Sequence, residues 1–573
     1  MPPSNATVAQ ALAAALQRHG VTVAFGQSIP SAFHIAAPAF GIRQVGYRTE
    51  NAGGAMADGY ARVSGKVAVV TAQNGPAAAL LVAPLAEALK ASAPVVALVQ
   101  DIARPDRDRN AFQELDHFAL FSGVAKWVRR VDLASRLDDY VDMAFAAAAS
   151  GRPGPAVLLL PFDLLNEPEA AASTASGRRA ASLGRFPLDR SAPDPERVEA
   201  AADLIAGAAH PLIVAGGGVH LSGAAAALAA LQRTAALPVA TTPMGKGAVD
   251  ETDPLSLGVI GYFMGPNGAT RPMKPLLDRA DVVLFAGART NQNGTDSWRL
   301  FPTGARFIHI DVDGQEIGRN YEALRLQGDA KLALEALAAA LVRRDLAKRH
   351  AGASALRAAV AAARARHLAD TAALRASPAS PIRPERLMAE IDAQLRPDDV
   401  VVADASYATV WTANYLTARA AGQRFVTPRG IAGIGWGLPM ALGAKAALPD
   451  RRVLCVVGDG GFAHCWAEME TALRMALPVA LVVLNNGILG FQKHAELVRW
   501  GAHSDAVQFS AVDHAAIARA CGCTGIRVEE PAAIAPALRQ ALAADRLTVL
   551  DVMVARDAYP PLGFYEGKIE RFV

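Results

Sequence analysis

Residues 453–486 read VLCVVGDGGFAHCWAEMETALRMALPVALVVLNN, and this stretch decides the fold class. It begins with an apolar run, reaches Gly458-Asp459-Gly460, continues as a helical pattern and returns to an apolar run that ends at Asn486. This order predicts a strand, a helix and a second strand parallel to the first. Asp459 and Asn486 are 27 positions apart (486 − 459), so we expect both at the same edge of one parallel sheet.

The residue types at this edge suit a hard cation and a diphosphate. The Asp459 carboxylate, the Asn486 amide oxygen and a backbone carbonyl just beyond, which we assign to Ile488, form an oxygen-only set. Mg²⁺ prefers such a set and completes it with water and phosphate oxygens. Gly460 and Gly461 leave backbone N–H groups open at a helix N-terminus, where a diphosphate is favoured. An ordinary glycine-rich turn between a strand and a helix is the alternative.

A second segment, YRTENAGGAMADGYAR at residues 47–62, places an acidic residue before a helix of small residues. Together the two segments resemble the thiamine-diphosphate (ThDP) enzymes, and the resemblance gives Glu50 the role of the activating glutamate. That role requires a partly desolvated carboxyl group hydrogen-bonded to the pyrimidine of the cofactor. The cofactor's own imino nitrogen then removes the proton from the thiazolium C2. A solvated loop carboxylate is the alternative for Glu50.

A third segment, RGIAGIGWGLPMALG at residues 429–443, is similar to the glycine-rich turn of the same family. The resemblance makes Ile434 the apolar side chain that props the cofactor in a bent shape, with its amino nitrogen close to C2. It also assigns four further residues to cofactor binding, which are Ser406, Tyr407, Thr409 and Gly458.

The resemblance covers nearly the whole chain and is to the acetolactate synthase-like branch of the family. It implies an α/β protein of three domains with parallel sheets flanked by helices. The expected parts are a pyrimidine-binding domain at 1–170, a middle nucleotide-binding-like domain at 190–345, a helical linker at 346–381, a pyrophosphate-binding domain at 382–556 and a tail at 557–573. The tail is either a disordered end or a lid over the active site.

Residues 110–114, NAFQE, are similar to a loop of this branch whose Phe and Gln face the reacting centre. The resemblance therefore assigns catalytic roles to Phe112 and Gln113. The neutral amide of Gln113 suits donation to a developing oxyanion or enamine hydroxyl. A structural hydrogen bond within the loop is the alternative. The chain has no His-His pair of the pyruvate decarboxylase type, which disfavours simple release of an aldehyde.

Three segments depart from the branch. Residues 289–293 read RTNQN where the FAD-binding acetolactate synthases have an arginine-led acidic segment, so FAD is not expected. Phe491 and Ala495 stand where the biosynthetic enzymes have a Met and a Trp, and the turn GQSIP at 26–30 lacks a Gly-Gly pair. These departures predict a donor or acceptor that differs from that of the amino-acid pathway.

Composition bounds the partners and the compartment. The 573 residues are 52% hydrophobic and 19% charged, which predicts about three globular domains. A net charge of +3 with interspersed signs gives no reason to expect nucleic acid. Polar residues interrupt every apolar stretch before 18 residues, so no membrane contact is expected. Four cysteines and an N-terminus without a signal-peptide core predict a cytoplasmic protein.

The sequence therefore predicts a ThDP- and Mg²⁺-dependent lyase or carboligase that acts on a 2-oxo acid, through a C2 carbanion and an enamine. One alternative is 2-hydroxyacyl-CoA lyase or oxalyl-CoA decarboxylase chemistry on an acyl-CoA. Another is a catalytically silent homologue, against which the retention of Glu50, Asp459 and Asn486 argues. The resemblance also implies a homodimer or homotetramer with shared active sites, in which Glu50 of one subunit reaches cofactor bound at Asp459 of another.

Overall fold

The structure, a computed structural model, describes residues 6–169 and 180–563. These residues form three six-stranded sheets in which the neighbouring strands run parallel. Helices flank each sheet. The expected α/β class with three parallel sheets is confirmed.

The first sheet has the strand order β2-β1-β3-β4-β6-β5. Its strands are β1 (Val23–Phe25), β2 (Arg43–Val45), β3 (Ala68–Ala72), β4 (Val95–Asp101), β5 (Trp127–Arg130) and β6 (Ala156–Pro161). Its helices are α1 (Val8–Arg18), α2 (Ser31–Ala36), α3 (Glu50–Ser64), α4 (Pro76–Ala91), α5 (His117–Ser122), α6 (Leu137–Ala149) and α7 (Phe162–Leu165).

The second sheet has the order β12-β11-β10-β7-β8-β9. Its strands are β7 (Pro211–Ala215), β8 (Val239–Thr241), β9 (Ser256–Val259), β10 (Val282–Ala286), β11 (Arg306–Asp311) and β12 (Ala323–Gln327). Its helices are α8 (Pro195–Gly207), α9 (Gly217–Leu221), α10 (Ala225–Thr234), α11 (Lys274–Asp278) and α12 (Ala330–Val342). The long helix α13 (Ala347–Arg375) follows, within the range 346–381 predicted as a helical linker.

The third sheet has the order β14-β13-β15-β16-β18-β17. Its strands are β13 (Val400–Ala403), β14 (Phe425–Val426), β15 (Val453–Gly458), β16 (Ala480–Asn485), β17 (Thr524–Val528) and β18 (Thr548–Met553). Its helices are α14 (Pro384–Asp392), α15 (Tyr407–Tyr415), α16 (Gly437–Ala447), α17 (Asp459–Ala463), α18 (Glu468–Arg474), α19 (Gly490–Trp500), α20 (His514–Ala520) and α21 (Ile534–Ala543).

Helices α3 and α16 join the first and third domains within the chain. A Cβ on Gly59 of α3 would lie 2.3 Å from the Met440 carbonyl oxygen, and a Cβ on Gly443 of α16 would lie 1.9 Å from that of Met56. Only glycine permits so close an approach of two backbones. One apolar cluster continues across this contact, from the first sheet to the third. The contact fixes α3, and with it Glu50, against the third domain.

Two sequence expectations fall partly outside the described residues. The interval between the expected first and middle domains, 171–189, includes residues 171–179, and most of the expected tail is residues 564–573. Within the part of the chain that the structure describes, no helix is both long enough and apolar enough to cross a membrane.

Candidate functional site

A cavity opens at the carboxyl edge of the third sheet. Strands β15 and β16 are paired with Gly458 opposite Leu484, so the residues that follow them reach the same edge. The structure brings together nine of the residues predicted to bind cofactor or metal. They are Ser406, Tyr407, Ile434, Gly458, Asp459, Gly460, Gly461, Asn486 and Ile488.

Asp459 is one of two buried carboxylates that line this cavity, and Asp404 is the other. Its Oδ1 accepts a hydrogen bond from the Gly460 N–H at 2.9 Å, and its Oδ2 accepts one from the Gly487 N–H at 2.6 Å. Burial raises the pKa of Asp459 to about 6, although these N–H donors act in the opposite direction. The Gly460 N–H, which we expected to be open to a ligand, is therefore bonded to the neighbouring carboxylate.

The glycines and oxygens of the cavity fit a diphosphate with a hard cation. A Cβ on Gly458 would meet no atom within 4 Å, so open space adjoins the backbone at this part of the cavity wall. A Cβ on Gly460 would lie 2.8 Å from Phe509, and one on Gly461 would lie 2.3 Å from the Asp404 carboxylate. Gly461 therefore requires glycine, because Asp404 is buried and held by hydrogen bonds, whereas the partly exposed ring of Phe509 leaves more room for adjustment at Gly460.

The described residues contain no group of three or more His, Cys, Asp or Glu side chains able to hold a metal ion. A cation at this edge would depend on one carboxylate, the Asn486 amide and backbone oxygen. The Asn486 Oδ1 accepts a hydrogen bond from the Ile488 N–H at 3.2 Å, which holds the amide at the start of the next loop. These are oxygen ligands of the kind that Mg²⁺ prefers.

The turn that carries Ile434 is held by a buried aspartate. Asp404, 1% exposed, directly follows β13. Its carboxylate accepts hydrogen bonds from the N–H groups of Gly435 at 2.8 Å, Trp436 at 3.2 Å and Gly437 at 3.1 Å. Burial raises the pKa of Asp404 to about 6, with the N–H donors lowering it. The backbone immediately after Ile434 is thereby fixed to the end of β13.

Three residues assigned to cofactor binding occupy the start of α15, and one of them points elsewhere. Ser406 lies on the cavity with φ 68° and ψ −142°, a strained conformation for a residue other than glycine. Tyr407 also lines the cavity, and its hydroxyl is 3.1 Å from the His494 Nδ1. Thr409 is not part of the cavity wall. Its hydroxyl donates to the Asp404 carbonyl and lies 2.7 Å from the Thr427 hydroxyl.

Glu50 is the first residue of α3 and is 9% exposed. The Thr49 side chain caps the helix by accepting the Ala52 N–H at 3.3 Å. Glu468 of the third domain accepts the N–H groups of Arg48 at 3.1 Å and Thr49 at 3.2 Å. Glu50 does not line the cavity of Asp459 in the same chain.

Phe112 and Gln113 also lie away from that cavity, on the loop before α5. Phe112 is 86% exposed. Gln113 has φ 60°, and its Oε1 accepts a hydrogen bond from the Gln73 Nε2 at 2.8 Å. The three residues assigned to catalysis therefore lie in the first domain, and the cofactor and metal set lies in the third.

A second cavity lies between the first and middle domains. Its wall includes Asp311 at the end of β11, and burial raises the pKa of this carboxyl to about 6. Three arginines also line it, which are Arg152, Arg289 and Arg429. Arg289, Thr290, Asn291 and Asn293 belong to the segment that departs from the FAD-binding pattern.

Asp404 and Glu468, which hold the backbone beside Ile434 and Glu50, are not among the residues predicted from the sequence. Asp404 had a usable signal, because an acidic residue directly after an apolar strand also marks Asp459. Glu468 had none, since its partners are about 420 residues away along the chain.

Three family models match this chain. They are described as "Thiamine pyrophosphate enzyme, N-terminal TPP binding domain" at residues 6–120, "central domain" at 198–337 and "C-terminal TPP binding domain" at 404–552. The chain belongs to the thiamine pyrophosphate enzymes. The cofactor expected from the sequence is therefore supported, and the matched segments include both Glu50 and the cavity of Asp459.

Relatives place this thiamine pyrophosphate enzyme in the acetolactate synthase-like branch, as expected. It is 31% identical to a probable acetolactate synthase large subunit of Methanococcus aeolicus, over 88% of this chain and 85% of the relative. It is 32% identical to the acetolactate synthase large subunit of Parasynechococcus marenigrum, over 97% and 89%. The acetolactate synthase isozyme 2 large subunit of Escherichia coli is 29% identical, over 95% of each chain.

Proposed function

We propose that this ThDP enzyme is an Mg²⁺-dependent lyase or carboligase that cleaves and forms carbon–carbon bonds, with a 2-oxo acid as donor. The observation that carries the proposal is the cavity in which Asp459, Asn486, the glycine backbone and Ile434 meet. The names of the relatives, which are acetolactate synthases, support a 2-oxo acid.

In this proposal Asp459, Asn486 and the Ile488 carbonyl hold Mg²⁺, and the backbone from Gly458 to Gly461 receives the diphosphate. The Gly460 N–H contributes by holding the Asp459 carboxylate in place. Bound ThDP supplies a nucleophilic carbon and accepts the electron pair of the bond that breaks.

Ile434 supports the bent cofactor, and Ser406 and Tyr407 line its site. Thr409 acts indirectly, because its hydroxyl is bonded to the backbone of Asp404. Glu50 holds the proton at the pyrimidine ring.

In this proposal, the loop before α5 contacts the reacting carbonyl group of the substrate. We assign to the Gln113 amide a hydrogen bond to the carbonyl oxygen as negative charge develops there. Phe112 covers the same centre with an apolar surface. Its exposure of 86% in the single chain fits a side chain that meets a second subunit.

The active site is therefore proposed to be shared between subunits of a homodimer or homotetramer. Glu50, Phe112 and Gln113 do not line the Asp459 cavity of their own chain, which supports a site completed by a second copy. We keep the domain limits at 1–170, 190–345, 346–381, 382–556 and 557–573 as part of the proposal. A cytoplasmic location, a small-molecule substrate and the absence of FAD, nucleic acid and membrane belong to it as well.

The deciding experiment is a substrate screen with product identification. The protein is stripped with EDTA, reloaded with ThDP and Mg²⁺, and offered a series of 2-oxo acids, singly and in pairs, with products identified by NMR. Turnover of a 2-oxo acid that requires both additions supports the proposal, and the Glu50→Gln variant is the matched inactive control. Turnover without ThDP, or none with any 2-oxo acid, contradicts it. An absorbance spectrum of the same preparation without flavin bands supports the absence of FAD.

A second candidate is cleavage of an acyl-CoA, and the second cavity favours it. The three arginines suit the phosphates of a nucleotide, and Asp311 at a strand end suits a ribose. Calorimetric titration with CoA, ADP and FAD separates the candidates. Binding of CoA, with cleavage of a 2-hydroxyacyl-CoA thioester, supports the second candidate. A 2-oxo acid turnover unaffected by CoA supports the first. No ThDP turnover with either class would leave the catalytically silent homologue.

A further inference from the structure

A buried histidine lies behind the loop that carries Gln113. His117 is the first residue of α5 and is 0% exposed. Its Nδ1 is 3.0 Å from the Asp101 Oδ1, and its Nε2 accepts a hydrogen bond from the Gly75 N–H at 2.8 Å. The Gly75 N–H can only donate, so Nε2 carries no proton. The proton of the neutral ring is then on Nδ1, where it bonds to Asp101.

Asp101 is itself held in place. Its Oδ2 accepts a hydrogen bond from the Arg130 Nε at 2.5 Å, and its Oδ1 also accepts the Ile102 N–H at 3.0 Å. Burial acts to raise the pKa of Asp101, but the hydrogen bonds from His117 and Arg130 outweigh it and leave the pKa below its ordinary value. The carboxylate therefore stays ionised and fixes the tautomer of His117.

Gly75 connects this histidine to Gln113. Gly75 has φ 65°, and a Cβ there would lie 2.8 Å from the Gln113 Cβ, so the two residues pack backbone against side chain. The residues just before Gly75 hold the same glutamine. The Gln73 Nε2 donates to the Gln113 Oε1 at 2.8 Å, and the Asn74 Nδ2 donates to the Gln113 carbonyl at 3.3 Å. Because Oε1 is engaged, the Nε2 of Gln113 is the end of the amide left to donate to a substrate.

We propose that His117, oriented by Asp101, is a positioning residue for Gln113. His117 holds the Gly75 N–H in place by a hydrogen bond, and this fixes the turn at residues 73–75. That turn orients the Gln113 amide toward the reacting oxygen of the substrate. The inference deepens the proposed function and rests on it, since Gln113 is the group taken to meet the substrate.

The test is a double-mutant comparison in the holoenzyme. His117→Phe keeps a ring of similar size but removes both hydrogen bonds, and we expect kcat to fall about 10²-fold, as for Gln113→Ala. The double variant should be no slower than Gln113→Ala alone, because both changes act on one group. Exchange of the ThDP C2 proton, which depends on Glu50, should stay within twofold of wild type in all three.

His19→Phe is the matched control. His19 is 2% exposed in the same domain, its Nδ1 accepts the Leu183 N–H at 3.0 Å, and its Nε2 is 3.0 Å from an Asp142 oxygen. It repeats the bonding of His117 away from Gln113, so its loss should lower stability similarly and leave kcat within twofold.

Two conservative variants keep the test decisive if His117→Phe does not fold. His117→Gln offers one donor and one acceptor and should restore kcat at least tenfold relative to the Phe variant, or remain within tenfold of wild type. Asp101→Asn places an amide N–H against the ring, which favours the other tautomer and opposes the Gly75 bond, so kcat should fall as for Gln113→Ala.

The positioning role would be overturned if the kcat losses of His117→Phe and Gln113→Ala were additive in the double variant. It would also be overturned if His19→Phe lost as much kcat as His117→Phe. A crystal structure of a His117 variant holoenzyme provides a readout that needs no substrate. A Gln113 amide that has left Gln73 supports the inference, and an unmoved one overturns it. If the wild-type enzyme turns over no 2-oxo acid while the amide moves in the variant, the proposed function fails and the positioning role stands.

Discussion

Replacing Asp404 with Asn should weaken cofactor binding, because the Asp404 carboxylate lines the cavity and holds the turn that follows Ile434. The carboxylate is buried at the end of β13 and accepts three N–H donors from the turn that follows Ile434. An amide has one acceptor oxygen and one donor NH₂, so it cannot serve all three.

The size of the effect follows from these contacts. If the NH₂ group takes the place of Oδ2, the Gly435 bond at 2.8 Å is lost, and if it takes the place of Oδ1, the bonds to Trp436 and Gly437 are lost. A hydrogen bond to a charged group contributes roughly 1.5–3 kcal/mol, and a buried N–H without an acceptor costs roughly 1–3 kcal/mol. Relief from burying a charge offsets part of this loss. We expect a net loss of about 2–4 kcal/mol in the free energy of ThDP binding. This corresponds to a ThDP Kd raised roughly 30- to 900-fold.

The assay is calorimetric titration of the apoprotein with ThDP at saturating Mg²⁺, together with urea unfolding. Asp399→Asn is the matched control, because Asp399 is 2% exposed at the opposite end of β13 and bonds to Arg452. The control should lower the free energy of unfolding and leave the ThDP Kd unchanged. A ThDP Kd in Asp404→Asn equal to that of the control would refute the claim that Asp404 holds the turn after Ile434 in the conformation that binds ThDP.

Three further predictions concern the metal, the assembly and pH. Asp459→Asn and Asn486→Ala should each raise at least tenfold the Mg²⁺ concentration needed for half-maximal ThDP binding, and EDTA should release ThDP from the wild type; an unchanged requirement in both variants contradicts the metal site. Mixing Glu50→Gln with Asp459→Asn protein under subunit exchange should regenerate activity, since one site then pairs two intact halves; no recovery despite proven exchange, or a fully active monomer in sedimentation, contradicts the shared site. Burial lowers the pKa of His309 to about 4, so the unfolded chain takes up the proton first as pH falls below 6.5. In urea unfolding, the free energy of unfolding of the wild type should fall by up to about 3 kcal/mol between pH 6.5 and 4 because of this histidine. The fall should be correspondingly smaller in His309→Leu. An equal fall in both proteins would contradict the lowered pKa of His309.

The sequence predicted those parts of the site that follow directly from strand order. Asp459 and Asn486 come after consecutive apolar runs, and parallel pairing of β15 with β16 brings both to one edge. The glycine-rich turn at residues 429–443 predicted a cofactor contact for Ile434, and Ile434 lines the same cavity. The local pattern was less informative for Thr409, whose buried hydroxyl is taken by Asp404 and Thr427.

The supporting contacts could not be predicted because they join distant parts of the chain. Glu468 meets the backbone before Glu50, and His117 meets Gly75 42 residues earlier. Each depends on how two elements pack, and neither leaves a periodic or motif signal. The relation of Glu50 to Asp459 is a stronger case, since the single chain does not bring Glu50 to the cavity.

The most direct test of cofactor activation by Glu50 is the rate at which bound ThDP exchanges its C2 proton with D₂O, measured by NMR after acid quench in wild type and Glu50→Gln. We expect fast exchange in the wild type and exchange slowed at least a hundredfold in the variant, with the ThDP Kd little changed, because an amide cannot hold the pyrimidine proton as a carboxylate does. Near-wild-type exchange in a variant that still binds ThDP would contradict this role of Glu50.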